Sequence, residues 1–321
     1  MKILVTPTSF TPERGGAALE LLRSFSADLV FNPLGKPLSE DTLISLIADC
    51  DGCIAGLDTY TRRVIWSAPK LKVISRYGVG FDQVDIAAAA EKGVVVCNTP
   101  GVNAEAVADL ALAMMLCIAR KLPLLDRKTK EGEWPRSTGF ELRGKTIGIL
   151  GLGAVGRAVA KRAAGFSMKV TAHDPFINKE YAAANGITVS AFDELIKESD
   201  IVSLHLPLTN ETRNIINEET MRAMKKGAVI INTARGGFID EDAACALLKT
   251  GHLGGLGLDS FGKEPPGPSP LFALDNVIIT PHTGAHTSEA TAAMADLSVR
   301  NLIDVLSGKD CPYKVLPVSG Q

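Results

Sequence analysis

The sequence has no strong excess of charge of either sign. It contains 34 Lys and Arg residues against 36 Asp and Glu residues, a formal net charge of −2. Proteins that bind nucleic acid through its phosphates need a clustered basic surface, and this balance offers none. We therefore predict no nucleic-acid partner. Any anionic substrate must be held by a few local basic groups.

Long apolar runs are also lacking. No stretch reaches the roughly 20 consecutive apolar residues of a membrane-spanning helix. The apolar part of residues 1–7 is too short for a secretory signal peptide and is typical of a first strand. We predict no membrane association and a cytoplasmic location.

Metal-binding residue types are few, with six cysteines and five histidines. Cys50 and Cys53 have the spacing of a redox or metal motif, but no second cysteine pair accompanies them. His282 and His286 are spaced like metal ligands on a helix, yet they fall in a predicted loop and helix start, without a third ligand nearby. The sequence therefore predicts buried structural thiols and no metal site.

What the sequence does contain is a glycine-rich turn between an apolar strand, 146–150, and a helix-forming stretch, 157–164. The first glycine of such a turn permits a tight bend, the second lets the backbone approach phosphates, and the third lets helix and strand pack closely. The strand, turn and helix start predict a site for the pyrophosphate of a dinucleotide. The expected pyrophosphate contacts are Gly151, Gly153, Ala154, Val155 and Gly156.

An acidic residue follows at the place where an adenosine ribose would bind. Asp174 ends the next predicted strand, and Pro175 and Phe176 come after it, where an NADP enzyme would carry an arginine. A carboxylate at this place accepts hydrogen bonds from the ribose hydroxyls and repels a 2′-phosphate. The predicted cofactor is therefore NAD rather than NADP.

The alternation of strands and helices over 321 residues predicts two α/β domains. The first set of strands is expected near residues 3–6, 28–31, 52–55, 73–76 and 94–97. The second set is expected near residues 146–150, 169–173, 200–206, 228–232, 256–259 and 277–280. Each set predicts a doubly wound parallel sheet of the Rossmann-like type, with a ligand-binding cleft between the two domains.

Domain boundaries are expected at two long helices, 104–120 and 288–306. A polar connection, 127–143, is expected after the first of them. We assign residues 1–101, completed by residues 287–321, to a substrate (catalytic) domain. Residues 102–286 are assigned to the NAD-binding Rossmann domain.

Charged side chains follow three successive strands of the second predicted sheet. Arg235 follows the fourth strand and precedes two glycines. Asp259 and Glu264 follow the fifth strand, and His282 follows the sixth. Ligands of such sheets bind at the carboxyl ends of the strands. Since an arginine fork suits a carboxylate and a histidine beside a carboxylate suits proton transfer, the set predicts acid–base catalysis on a carboxylate-bearing substrate.

These segments together resemble the D-2-hydroxyacid dehydrogenase family, and within it the phosphoglycerate dehydrogenase branch. The resemblance covers nearly the whole chain and rests on motifs at residues 76–82, 98–109, 204–209, 232–237, 257–265 and 281–285. It implies hydride transfer between the nicotinamide of NAD and C2 of a D-2-hydroxyacid. It further implies that His282 is the general acid/base, that Glu264 is its partner, and that Arg235 binds the substrate carboxylate.

The same resemblance implies the remaining ligand contacts. Asp259 is expected to meet the nicotinamide carboxamide. The other expected cofactor contacts are Val79, Leu206, Thr233, Ala234, His282, Gly284 and Ala285. The expected substrate contacts are Arg76, Val79, Gly80, Arg235 and His282. Family members are usually homodimers through the NAD domain, and the regulatory domain of longer phosphoglycerate dehydrogenases is not expected here.

The resemblance leaves the substrate open. Phosphoglycerate enzymes commonly place a basic residue just after the third strand of the substrate domain, whereas this chain has Ala55-Gly-Leu-Asp58. Arg62, Arg63 and Arg76 remain candidates to bind a phosphate. D-3-phosphoglycerate therefore stands beside an unphosphorylated substrate, as in a hydroxypyruvate or glyoxylate reductase.

Two further functions of this fold were considered from the sequence. Formate-type dehydrogenases resemble a pattern with an amide where Glu264 stands, so the carboxylate argues against them. A dinucleotide-sensing binding protein of the corepressor type would not need the set of Arg235, Glu264 and His282. A test for NADH consumption separates such a binding protein from an enzyme.

Overall fold

The computed structural model describes residues 1–26 and 28–317. The chain is divided into two compact units. Unit 1 comprises Met1–Asn103 with His286–Gln321, and unit 2 comprises Ala104–Ala285. Residues 318–321, which end the predicted substrate domain, lie outside the described residues.

Unit 1 is built on a five-stranded parallel sheet. Its strands are β1 (Lys2–Val5), β2 (Asp28–Phe31), β3 (Gly52–Ala55), β4 (Val73–Arg76) and β5 (Val95–Cys97). Their order is β2-β1-β3-β4-β5, with β3 in register with β4 from Gly52 opposite Val73 onwards. Every residue of β3 and β4 is buried, as expected for central strands covered on both faces.

Unit 2 is built on a seven-stranded parallel sheet. Its strands are β6 (Thr146–Leu150), β7 (Lys169–His173), β8 (Thr188–Val189), β9 (Ile201–Leu204), β10 (Ala228–Asn232), β11 (Leu253–Leu258) and β12 (Val277–Ile279). Their order is β12-β11-β10-β9-β6-β7-β8. The prediction of two doubly wound parallel sheets is confirmed, although the short edge strand β8 was not predicted.

Helices connect the strands in both units. They are α1 (Gly16–Phe25), α2 (Glu40–Ile47), α3 (Arg62–Ser67), α4 (Ile86–Lys92), α5 (Ala104–Arg120), α6 (Leu122–Lys130), α7 (Ala154–Gly165), α8 (Lys179–Ala184), α9 (Phe192–Glu198), α10 (Glu218–Ala223), α11 (Glu241–Lys249) and α12 (Ser288–Leu306). Two short 3-10 helices lie at Gly236–Phe238 and Pro270–Ala273. None of the helices within the described residues has the length and apolar character needed to cross a membrane.

Short polar side chains start most of these helices by accepting a backbone N–H of the first turn. The capping residues are Ser39, Thr61, Asp85, Asn178, Asn217, Asp240 and Thr287. Helix α7 has no such cap, because the residue before its start is Gly153. Its first N–H groups are therefore left for another acceptor.

Each sheet is covered by apolar side chains on both faces. Along β6, Ile147 and Ile149 belong to one buried cluster with α5 and α7, whereas Leu150 belongs to the cluster on the other face. In unit 1, β1 divides in the same way, with Leu4 on one face and Ile3 on the other. Both sheets are thereby held rigidly, so the loops at their strand ends start from fixed positions.

The polar connection predicted at residues 127–143 is wrong in its first part, because α6 extends to Lys130. None of the residues of α6 is fully buried, although Leu124 and Leu125 are half-buried. The helix is supported instead by Pro123 near its start, an ion pair of 2.7 Å between Lys130 and Asp126, and basic residues in its last turn.

Candidate active site

The order of strands in unit 2 changes direction between β6 and β9, and the carboxyl ends of these two strands mark its topological switch point. Ligands of doubly wound sheets bind at such points. The glycine turn after β6 and the loop after β9 meet here. A Cβ atom at Gly151 would lie 2.5 Å from the carbonyl oxygen of His205, and Gly151 has a φ of +94°. Only glycine can occupy this position without strain.

The rest of the glycine turn has the shape that a pyrophosphate needs. A Cβ atom at Gly156 would lie 2.0 Å from the carbonyl oxygen of Gly151, so this glycine permits close packing of helix and strand. A Cβ atom at Gly153 would meet nothing within 4 Å. Ala154 is exposed and Val155 is half-buried at the uncapped start of α7. The turn therefore presents open backbone N–H groups.

Asp174 joins the glycine turn to the loop after β7. Its Oδ2 accepts the backbone N–H of Leu152 at 2.8 Å, and its Oδ1 accepts that of Phe176 at 2.8 Å. Leu152 lies within the glycine turn, so the carboxylate ties the turn to the loop after β7. Each carboxylate oxygen still has a lone pair for a ribose hydroxyl. Sequence reasoning assigned only the ribose contact to Asp174 and missed this tie.

Two buried polar atoms at the same edge lack a hydrogen-bond partner among the described residues: Thr233 Oγ1, after β10, and His205 Nδ1, after β9. Buried polar groups of folded proteins are nearly always paired. Two such atoms beside an open glycine turn and Asp174 fit a polar ligand of the dinucleotide type. Leu206 and Ala234, which are predicted cofactor contacts, are half-buried next to these atoms in the sequence.

The ring of His205 is held in its neutral form. Burial lowers the pKa of this histidine to about 3, and its Nε2 lies 2.8 Å from Ser203 Oγ. A neutral ring adds no positive charge to the switch point. This agrees with a structural rather than an acid–base role.

His282 and Glu264 form a close pair in the loops after β12 and β11. His282 Nδ1 lies 2.8 Å from Glu264 Oε2, and Glu264 Oε1 accepts the backbone N–H of Phe261 at 3.0 Å. Burial raises the pKa of the Glu264 carboxyl. The hydrogen bond and charge of His282, the N–H of Phe261 and the charge of Arg235 outweigh this effect, so the pKa lies below its ordinary value. Glu264 is therefore ionised and accepts a hydrogen bond from Nδ1–H of His282.

Asp259 anchors the loop that carries His282. It is buried, and its Oδ1 accepts hydrogen bonds from Thr280 Oγ1 at 2.6 Å and from the backbone N–H of Thr283 at 2.7 Å. Its Oδ2 accepts the N–H of Gly284 at 2.8 Å, and Ala285 follows half-buried. His282 has a φ of 53°, a left-handed conformation that side chains seldom adopt. The contacts of Asp259 hold this conformation, and sequence reasoning missed that role.

Arg235 lies in a loop that is fixed from both sides. Asn232 Nδ2 donates to the carbonyl oxygen of Arg235 at 2.6 Å, and Arg235 Nη1 donates to that of Ala234 at 2.8 Å. A Cβ atom at Gly236 would lie 1.8 Å from the backbone of Phe261, which explains the glycine after the arginine. Because the charge of Arg235 also lowers the pKa of Glu264, the structure brings Arg235, Glu264 and His282 together.

The other predicted substrate contacts belong to unit 1 and lie at or after the end of β4. Arg76 is buried, and its Nε donates to the carbonyl oxygen of Gly80 at 3.0 Å while Nη1 donates to that of Ala55 at 3.2 Å. Val79 is 42% exposed. The structure thus groups Arg76, Val79 and Gly80 in one loop.

No group of three or more His, Cys, Asp or Glu side chains within residues 1–26 and 28–317 could hold a metal ion. At the histidine pair with metal-like spacing, His282 already uses Nδ1 for Glu264. Cys50 and Cys53 are buried free thiols, and burial raises the pKa of Cys50 to about 11. A thiol with a raised pKa is a poor ligand and nucleophile.

Known proteins resemble the chain over most of its length. The family model described as "D-isomer specific 2-hydroxyacid dehydrogenase, NAD binding domain" matches residues 112–284. The D-3-phosphoglycerate dehydrogenase of Methanocaldococcus jannaschii is 45% identical over 276 residues, which cover 85% of this chain and 53% of that protein. The chain thus spans about half the length of that relative.

Two other proteins match from end to end. The glyoxylate reductase of Korarchaeum cryptofilum is 38% identical over 323 residues, which cover 98% of this chain and 96% of the reductase. The crystal structure of the TT0316 protein of Thermus thermophilus has a TM-score of 0.89 and 39% identity, covering 98% of this chain and 100% of that chain. These matches confirm the predicted resemblance, and the family model confirms NAD as the predicted cofactor. The chain belongs to the D-isomer specific 2-hydroxyacid dehydrogenase family.

Proposed function

We propose that this protein is an NAD-dependent oxidoreductase that interconverts a D-2-hydroxyacid and its 2-oxoacid. The observation that carries the proposal is the contact of 2.8 Å between His282 Nδ1 and Glu264 Oε2, with the charge of Arg235 acting on the same carboxylate. A proton-transfer pair beside a carboxylate-binding cation is what this reaction requires of a protein.

His282 is the general acid/base in this proposal. Glu264 is ionised and takes the hydrogen bond from Nδ1–H, so Nε2 is the nitrogen that faces the substrate. During oxidation, Nε2 of the neutral ring takes the proton of the C2 hydroxyl. During reduction, Nε2–H of the imidazolium protonates the carbonyl oxygen. NAD, when bound, supplies the hydride acceptor or donor.

Arg235 binds the substrate carboxylate. Its planar guanidinium can donate two parallel hydrogen bonds to a carboxylate, which fixes the orientation of C2. The loop around Arg235 is rigid, because Asn232 and Gly236 hold it on both sides. We propose Arg76, Val79 and Gly80 as further substrate contacts.

The proposed cofactor contacts rest on the family resemblance and are supported by the open switch point of unit 2. The N–H groups of the glycine turn and of α7 would hold the pyrophosphate, Asp174 would hold the ribose hydroxyls, and Asp259 would contact the nicotinamide carboxamide. We propose unit 2 as the NAD-binding domain and unit 1 as the substrate domain. The remaining proposed contacts are Val79, Leu206, Thr233, Ala234, His282, Gly284 and Ala285.

We also propose a homodimer formed through unit 2. Its support is a set of large apolar side chains that unit 2 leaves exposed: Leu122 at 49%, Trp134 at 77% and Phe166 at 42%. Exposed apolar groups of this size are typical of interfaces. Sedimentation of the protein and of Trp134→Glu tests this, and a monomeric wild type contradicts it.

The proposed location is the cytoplasm. All six cysteines are free thiols, as expected in a reducing compartment. Labelling of all six thiols in protein taken from quenched cells supports this location. A disulfide in that protein would contradict it.

The function is tested by following NADH absorbance with a panel of 2-oxoacids. Consumption that depends on the oxoacid and is lost in His282→Ala supports the dehydrogenase. Tight NADH binding without consumption of any oxoacid would identify a dinucleotide-sensing protein instead. Activity with formate alone would contradict the role of Glu264.

A further inference from the structure

Arg157 lies in α7, just beyond the glycine turn of unit 2, and its side chain returns to that turn. Its Nε donates to the carbonyl oxygen of Leu152 at 3.0 Å. Leu152 is buried between the first two glycines of the turn, and its N–H donates to Asp174 Oδ2 at 2.8 Å. The two backbone groups of Leu152 are thus held by two side chains of opposite charge.

The contact of Arg157 with this carbonyl fixes the next N–H along the chain. A peptide group is planar and trans, so its C=O and its N–H point in opposite directions. The carbonyl of Leu152 shares its peptide group with the N–H of Gly153, and the space beside Gly153 is open. A charged donor at the carbonyl therefore orients this N–H and, by polarising the peptide group, strengthens it as a donor.

Tyr181 holds the guanidinium of Arg157 in place. The guanidinium carbon lies 4.2 Å from the centre of the Tyr181 ring, in a cation–π contact. The ring packs against the apolar cluster that includes α7, and the N–H of Tyr181 donates to Asn178 at the start of α8 at 2.8 Å. Because the planar guanidinium is already stacked, little rotamer freedom is lost when it donates to Leu152.

The position of Arg157 on its helix does not favour a cation. The N-terminus of a helix carries the positive end of its dipole, so anions are stabilising there. Helices α2, α9, α10 and α11 each have two acidic residues in their first turn, whereas α7 has none. The contacts of the arginine side chain, rather than its place in the helix, therefore account for its position.

We propose that Arg157 is a positioning residue for the pyrophosphate of the cofactor. It donates to the carbonyl of Leu152 and thereby orients the N–H of Gly153 towards the phosphate oxygens. This inference rests on the proposed function, in which NAD binds at the glycine turn. Since the role belongs to the hydrogen bond from Nε, a neutral side chain with a donor at the same place should preserve it.

The first experiment compares the binding of ADP-ribose, which carries the pyrophosphate, with that of adenosine, which does not. Both are measured by their competition with NADH in a fluorescence titration. Arg157→Met should weaken ADP-ribose binding about 10-fold, because the charged donor to Leu152 is lost. Adenosine binding should change little, because Asp174 still holds the turn. An equal loss for both ligands would show a general disruption of the turn and overturn the inference.

Arg157→Gln separates the hydrogen bond from the charge. The Nε2 of glutamine is bonded to Cδ, as is the Nε of arginine, so a neutral donor takes the same place. We expect ADP-ribose affinity within about threefold of the wild type. If Arg157→Gln binds ADP-ribose as weakly as Arg157→Met, the charge alone matters and the inference is wrong.

Tyr181→Leu tests the support of the guanidinium and applies even if Arg157→Met does not fold. It keeps Arg157 but removes the ring on which it stacks, so ADP-ribose affinity should fall about threefold. Adenosine affinity should again change little. Unchanged ADP-ribose affinity would overturn the inference.

Lys161→Met is the matched control for charge. Lys161 is exposed on α7, one turn further from the glycine turn, and its replacement removes the same charge. Its ADP-ribose affinity should equal that of the wild type. A loss as large as that of Arg157→Met would show general electrostatic attraction and overturn the inference. A wild-type protein that binds neither NADH nor ADP-ribose would instead contradict the proposed function.

Discussion

The two sheets differ at their topological switch points, which are open in unit 2 and filled in unit 1. In unit 2 the switch point lies between β6 and β9, and Gly153 there faces open space. In unit 1 the order changes direction between β1 and β3, and that point is filled. The N–H of Gly56 donates to Thr6 Oγ1 at 2.8 Å, and a Cβ atom at Gly56 would lie 2.9 Å from Pro7.

The difference shows why one sheet suits a dinucleotide and the other does not. In the described part of the chain, the unit 2 switch point leaves the N–H groups at the start of α7 and the Nδ1 of His205 without protein partners. At the unit 1 switch point, Asp58 accepts the N–H of Leu38 and the hydroxyl of Thr6, whose Oγ1 accepts the N–H of Gly56. A ligand replaces missing hydrogen bonds, but it cannot easily displace those already made. The same doubly wound topology is therefore a binding site only where the loops are left unsatisfied.

Removal of the general acid/base, His282, is expected to have the largest effect, and it leaves both switch points unchanged. His282→Ala should lower kcat by roughly 10²–10⁴-fold, the usual contribution of general acid–base catalysis. NADH affinity, measured by fluorescence titration, should change little, because the switch point is untouched. His286→Ala is the control from the same segment, with an expected effect below about threefold on the same scale. A His282→Ala enzyme of normal kcat would remove His282 from the mechanism.

The two arginines at the strand ends should respond differently to the same substitution. Arg235→Lys should lower kcat/KM for the oxoacid about 100-fold through KM, since a lysine cannot reproduce a bidentate contact. Arg76→Lys should mainly lower the melting temperature, because it breaks two buried contacts to backbone oxygens. Steady-state kinetics and thermal unfolding measure both effects, with the exposed Arg222→Lys as control. Unchanged kinetics in Arg235→Lys would move the carboxylate clamp to Arg76.

Replacement of Asp174 tests both its proposed contact with the ribose and its hydrogen bonds to the backbone of the glycine turn and the loop after β7. Asp174→Ala should narrow the preference for NADH over NADPH about 10-fold, because the charge that repels a 2′-phosphate is gone. NADH affinity itself should fall as well, since the N–H groups of Leu152 and Phe176 lose their acceptor. Titrations of both cofactors, with the exposed Asp193→Ala as control, measure this. A wild-type enzyme that prefers NADPH would contradict the assignment of NAD.

The partner of His282 should control the pH dependence of the reaction. In Glu264→Gln a neutral amide replaces a carboxylate whose pKa is lowered by His282, so the imidazolium loses stabilisation. Reduction requires the imidazolium, and its high-pH limit should therefore move to lower pH by about one unit. The pH profiles of kcat/KM for the two proteins decide this. Identical profiles would exclude Glu264 from tuning the proton transfer.

His205 gives the smallest expected effect. Its pKa is lowered by burial from 6.5 to about 3, so below pH 6.5 the unfolded chain binds a proton that the folded chain does not. The wild type should thus lose stability as pH falls, at a limit of about 1.4 kcal/mol per pH unit. His205→Gln should flatten this dependence in urea unfolding between pH 7 and 5. A parallel loss of stability in both proteins would contradict a buried neutral ring.

Sequence patterns predict the alternating elements of both sheets because central parallel strands are continuous apolar runs, as at β6 and β10. They fail at α6, where a short apolar start is followed by charged residues and no residue is fully buried. They also fail at β8, whose two residues are both exposed and carry no apolar signal.

At the site, the residue types at strand ends predicted which side chains would gather. The structure brings Arg235, Glu264 and His282 together, although their catalytic roles stay predictions. The anchoring contacts of Asp259 and Asp174 were not predicted, because they join backbone groups that are distant in sequence. A hydrogen bond to a backbone N–H leaves no trace in residue type, so such roles need coordinates.

The left-handed backbone of His282 determines when the free energy needed to orient the imidazole is required. Its unfavourable φ of 53° is overcome once, when the chain folds and the loop closes on Asp259. The imidazole therefore does not search for its orientation in each catalytic cycle, and the entropy of that search does not enter the barrier to proton transfer. A looser loop would move this cost from folding to turnover. Asp259, which anchors this loop, thus determines whether the ring is oriented once, during folding, or anew in each reaction.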